Sequence, residues 1–113
     1  MRNHGANFSP KNKDMTLTIH AIHFDADAAL LEHVNKKISK LESLHDKIMK
    51  VDVYLKLDNV IHQIKDKVAE IRLTVPRHEL FVKHSSKSFE ESFDQALESI
   101  MMQIKKVKEK QAV

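Results

Sequence analysis

Residues 50–58, "KVDVYLKLD", alternate without a break. Val51, Val53, Leu55 and Leu57 share one side of an extended chain, and Asp52, Tyr54, Lys56 and Asp58 share the other. Strand side chains point alternately to opposite faces, so this period of two calls for a sheet with one covered and one open face. "KVAEIRLTVP" repeats the pattern with Ala69, Ile71, Leu73 and Val75 inward. Pro76 ends that strand, because proline has no N–H to donate to a ladder. "TLTIHAIHF", from Thr16 to Phe24, is an earlier strand with Leu17 and Ile19 on one side, and "ELFVKHS" is a fourth, close enough to the third for a hairpin.

A half-apolar sheet needs a cover, and two segments with helical periodicity supply it. After Asp25 or Asp27, either of which can cap a helix through its short carboxylate, Leu30, Leu31, Val34, Ile38 and Leu41 form one apolar stripe. The second helix opens on Ser88 and Glu91, the spacing of a capping box. Its stripe is Phe89, Phe93, Leu97, Ile100, Ile104 and Val107, with Met101 beside it. The order is therefore β-α-β-β-β-α, an α+β domain with a four-stranded sheet and two helices packed on one face. "NVIHQIKD" has mixed signals and is assigned to a loop. Residues 1–14 are polar and aperiodic, and hold the chain's one glycine and one of its two prolines. They are expected to be a disordered leader or tag-like extension, with residues 15–111 forming a single domain that begins at Met15.

The composition removes several classes of function. Phosphate-cradling loops need several glycines, and Gly5 alone cannot build one. Without cysteine there is neither a disulfide framework nor a thiolate metal site, which suits a reducing cytoplasm. No apolar run approaches the roughly 18 to 20 residues of a membrane span. Eight histidines invite a metal site, yet no close pair has a recognised ligand spacing, and His20 and His23 are expected on different faces of a strand. Asp25 with Asp27, and Glu90 with Glu91, belong to helix starts, where negative charge opposes the helix dipole. His84 and Ser85 are strand neighbours and face opposite ways. No catalytic residue, metal or cofactor is expected.

Tyr54 and Phe81 fall on the outer sheet face, where aromatic side chains stack bases in sheet-type RNA readers. The aromatic-rich, glycine-flanked motif of those readers is missing, so ordinary cross-strand packing is the expectation. The lysines carry more. Net charge is only +3, from 19 basic against 16 acidic residues, so position matters more than the sum. The macrodipole accounts for Lys108 and Lys110 at a helix end, but its reach is the last turn. It does less for Lys105 and Lys106, and nothing for Lys36, Lys37 and Lys40 in the first helix. If the helices lie side by side, these lysines share a surface suited to a phosphate backbone.

"HVNKKISKLESLHDKI" and "QALESIMMQIKKVKEK", with the strand-rich middle between them, resemble the ribosome hibernation-promoting factor family, also called protein Y or ribosome-associated inhibitor. The resemblance spans Met15 to Gln111. It implies a stress or stationary-phase factor of the cytoplasm that binds the small ribosomal subunit in the mRNA and tRNA channel and blocks translation by occupancy. It implies contact with rRNA backbone through Lys37, Lys40 and Lys47 around the first helix and Lys106, Lys108 and Lys110 in the second; Lys36 and Lys105 are additional here. No membrane and no small-molecule substrate is implied, and the free protein is expected to be a monomer. Met102 stands where the family often has arginine, and Ser88 and Glu90 stand where it often has an acidic residue and an aromatic. The chain looks like the short form, lacking the added domain that pairs ribosomes. Relatives described as sigma-factor modulators leave a second expectation, a regulator that binds another protein.

Overall fold

The alternating stretches become the centre of one sheet. In a computed structural model, residues 5–8, 15–44, 47–59 and 65–111 are described. The elements are β1 (Gly5–Phe8), β2 (Thr16–Ile22), α1 (Ala28–Leu44), β3 (Lys50–Asn59), β4 (Lys65–Val75), β5 (His78–Ser86) and α2 (Phe89–Gln111). The strands lie in the order β1-β2-β3-β4-β5. β2 and β3 are parallel and joined through α1, whereas the other neighbours are antiparallel. The four expected strands are β2 to β5. β1 adds a fifth at the edge, within the stretch expected to be disordered, pairing Gly5–Phe8 with Leu17–His20 of β2. Asn59, Lys65 and Asp66, expected in a loop, extend the β3–β4 hairpin, and residues 60–64 lie outside the described residues.

Leu17, Ile19, Val51, Val53, Leu55, Ala69, Ile71, Leu73, Val75 and Val82 point to one face and join a single buried cluster. Both helical stripes enter the same cluster, from Leu30 to Leu41 and from Phe89 to Val107, and Met15 is buried with them. β5 runs in the same direction as β2, and each precedes a helix. Both helices therefore start at the same end of the sheet. Phe24, just before α1, stacks on Phe89 at the start of α2, with centroids 4.3 Å apart.

Local chemistry sets the helix ends. Asp27 caps α1, its Oδ1 accepting from the Leu30 N–H at 2.8 Å. In α2 the Glu91 N–H donates to Ser88 Oγ at 3.0 Å, while the Ser88 N–H donates to Ser86 Oγ at 3.2 Å. Ser88→Ala should therefore cost about 1 kcal/mol, read from denaturant midpoints at unchanged slope. Ser92, wholly buried, donates to the Lys67 carbonyl and shares a bond with Ser86 Oγ, tying α2 to β4 and β5. Since the single glycine sits in β1, the left-handed backbone positions fall to other residues. His23 and Arg77 each have φ of 70°. Pro76–Arg77 thus turns the chain with the sequence of a type II turn, proline first and positive φ second. β2 ends at Ile22, so His23 lies past the strand rather than on its opposite face.

Candidate nucleic-acid interface

Two surfaces remain once the core is covered: the outward sides of the helices and the open face of the sheet. On α1, Lys36 and Lys40 are exposed, with Ser39 and Ser43 between and beyond them donating to the carbonyls of Lys36 and Lys40 at 2.6 and 2.7 Å. Those bonds turn the serine hydroxyls back onto the helix and leave Lys36 and Lys40 as the outward charged groups of this stretch. Lys37 is half-buried and reaches across to Asp94 of α2, 3.9 Å away. His33 Nε2 meets the same carboxylate at 2.8 Å, and its ring stands edge-on to Phe93. Lys47 is exposed in the turn after α1.

On α2 the outward strip is graded. Glu90, Glu91 and Glu98 are exposed in its first half, Met102 follows at 60% exposure, and Lys105 and Lys106 are exposed beyond it. The backbone of Lys108 and Lys110 continues the helix, but their side chains lie outside the described residues. The helices do not present one uniformly basic surface. Acidic groups occupy the shared starting end, Asp94 compensates Lys37, and basic character is concentrated toward the far ends. Among the described residues, Lys36, Lys40, Lys105 and Lys106 have no carboxylate partner. At about 1.5 Å of rise per residue, Lys40 and Lys105 lie roughly 18 and 24 Å along their helices from the common end. That arrangement suits a polyanion crossing the far ends of both helices.

The open sheet face has its own order, and reading the sequence missed most of it. His20 stacks on Tyr54 with centroids 4.4 Å apart and planes 10° from parallel. The Arg72 guanidinium lies 5.6 Å from the Tyr54 centroid and 5.3 Å from that of Phe81. One π and cation row therefore crosses β2, β3, β4 and β5. Asp52 is met by His20 at 3.3 Å and Lys50 at 3.5 Å, and buried Glu70 by Lys56 at 2.8 Å. Tyr54 and Phe81 were placed on this face from alternation; His20 and Arg72 join them only through the cross-strand register. His84 pairs not with its neighbour Ser85 but with Ser99 of α2, sharing a 2.8 Å bond that ties strand to helix. Among the described residues no group of three histidines or acids is placed to hold a metal. No described helix is long and apolar enough to cross a membrane.

Residues 17–112 match the family model described as sigma 54 modulation protein / S30EA ribosomal protein. The chain belongs to that family. The match spans the domain from β2 to the end of α2, and the resemblance to hibernation-promoting factors read from the two basic helices holds. A comparison with curated proteins finds no match. Among solved structures, a ribosomal subunit interface protein from Coxiella burnetii is similar at TM-score 0.68 and 17% identity, covering 80% of this chain and 96% of that one. The protein Y N-terminal domain from Thermus thermophilus is similar at TM-score 0.66 and 22% identity, covering 79% and 97%. At such identities these likenesses establish the fold alone.

Proposed function

We propose that the protein is a cytoplasmic ribosome hibernation factor. It binds the small subunit in the channel for mRNA and tRNA, holds rRNA backbone with Lys36, Lys40, Lys105 and Lys106, and blocks translation without chemistry. The family resemblance adds Lys37, Lys47, Lys108 and Lys110 to that set. The observation that carries this reading is a set of lysines with no carboxylate partner among the described residues, running from the middle of α1 toward its end and along the far half of α2, in a chain of the S30EA family. The ribosomal wording of the family description and of both structural neighbours supports the partner. Lysine clusters that neutralise phosphates release counterions, so binding of this kind weakens steeply with salt.

Sedimentation of lysate should place the protein with small subunits and intact ribosomes. In a purified translation reaction, inhibition should saturate near one protein per ribosome, because an occluding protein acts once. Strong inhibition far below that ratio, growing with time, would mean turnover and would sink the proposal. The family description also names sigma 54 modulation, and exposed Met102 sits on α2 where a protein partner could pack. Salt separates the two: a largely apolar protein interface should hold its affinity between about 50 and 200 mM, where a binder making 6–10 phosphate contacts loses on the order of a thousandfold or more.

A further inference from the structure

The row on the open sheet face does more than cross-strand packing requires. Packing accounts for Tyr54, half-buried between His20 and Arg72. It does not account for the row ending on Phe81, a ring 46% exposed on edge strand β5 with Arg72 against it. The charges point the same way. Of the acids beside the row, Asp52 and Glu70 are neutralised by neighbours on the same face, and Glu79 has no cation partner among the described residues. Among the described residues Arg72 and Lys83 have no carboxylate partner, and Lys83 stands two positions from Phe81 on the same side of β5. Glu79, also exposed, lies on the other side of Phe81. A phosphate would therefore pass Lys83.

We infer that this face is a second RNA-binding surface, where an unpaired base of the small subunit's RNA stacks at Phe81 and its phosphate is held by Arg72 and Lys83. An aromatic ring accepts any base through its π-face, and alanine substitution at such positions costs about 1–3 kcal/mol per base. Exposed cations beside the ring supply the backbone contact that stacking lacks. The inference rests on the proposed ribosomal partner, and it would have the protein gripped from opposite sides, by lysines over the helices and by stacking over the sheet.

The test uses the full chain with two probes, an unstructured adenylate decamer and purified small subunits, against wild type, Phe81→Ala and the double variant Lys105→Gln, Lys106→Gln. Tyr54 is the only tyrosine and there is no tryptophan, so intrinsic emission reports on the row itself. The decamer should quench that emission in wild type. Phe81→Ala, exposed and so expected to fold normally by circular dichroism, should weaken both probes by about tenfold. The lysine variant should lose subunit affinity while keeping the tyrosine quench. Equal decamer affinity and quench in Phe81→Ala would overturn the inference, while the lysine variant still judged the hibernation reading. A decamer effect with unchanged subunit affinity would overturn it too, by assigning the face to another RNA. Wild type that ignores subunits would remove the hibernation reading and this one with it.

Discussion

Replacing Lys105 and Lys106 with glutamine, together with Lys108, is expected to leave the fold nearly intact and weaken small-subunit binding by on the order of ten- to a hundredfold near physiological salt. Lys105 and Lys106 are exposed and belong to no ion pair among the described residues, so folding loses only their favourable place near a helix C-terminus. That is worth about 0.3–1 kcal/mol each at most. Binding would lose up to three phosphate contacts. The slope of log affinity against log salt should flatten by about 0.9 per contact on a duplex-like backbone, or about 0.7 on a single strand. Lys36→Gln with Lys40→Gln should act in the same direction. Lys37→Gln should do less, since Asp94 already compensates that charge. Glu32→Gln and Glu98→Gln, on the same helices, should not weaken binding. Unchanged affinity and slope in a folded lysine variant would return the cluster to a solvated helix end.

Phe93→Ala should have the largest effect on stability, about 3–5 kcal/mol. Phe93 is wholly buried on α2 and meets the His33 ring of α1 edge-on, so it lies where helix, helix and sheet converge. Its removal deletes apolar area and leaves a cavity that three rigid elements cannot easily close. Against a total of about 5–15 kcal/mol for an ordinary domain, that is a large share. The expected fall in Tm is roughly 10 to 25 °C. Subunit binding should fall with the folded fraction and recover at lower temperature, unlike the lysine variants, which stay folded and bind weakly throughout. A cost below about 1 kcal/mol would mean that α2 is not seated on the sheet through this ring.

The parts of the fold that could be read in the residues are those governed by local periodicity. Val51 to Leu57 and Ala69 to Val75 face inward because alternation leaves an extended chain no other way to bury them. The stripes of α1 and α2 follow from helical spacing, and Asp27 and Ser88 mark the starts because their side chains can accept from free first-turn amides. β1 was not legible. Its four residues, Gly-Ala-Asn-Phe, are too few to set a period and sit in a polar stretch, and the neighbouring edge of β2 gives the extended backbone its partner. The reach of the β3–β4 hairpin was underestimated for a similar reason, since Asn59 pairs with Lys65 through backbone rather than side-chain preference.

For the candidate site, the sequence by itself determined that Lys36, Lys40, Lys105 and Lys106 are exposed, because exposure follows from lying opposite an apolar stripe; Lys37, read the same way, is half-buried. Only the tertiary structure decided their electrostatic neighbourhood. Asp94 faces His33 and Lys37 from a position 57 residues beyond Lys37, so nothing near the lysine announces its compensation. The shared starting end of the helices, which puts acidic residues together and leaves lysines toward the far ends, depends on β2 and β5 running the same way. The row of His20, Tyr54, Arg72 and Phe81 is the clearest case. Each residue is an ordinary outward position on its own strand, and they meet because three strand pairings have one particular register. Periodicity is a property of a segment, which the chain carries along its length; register belongs to pairs of segments and exists only once they are packed.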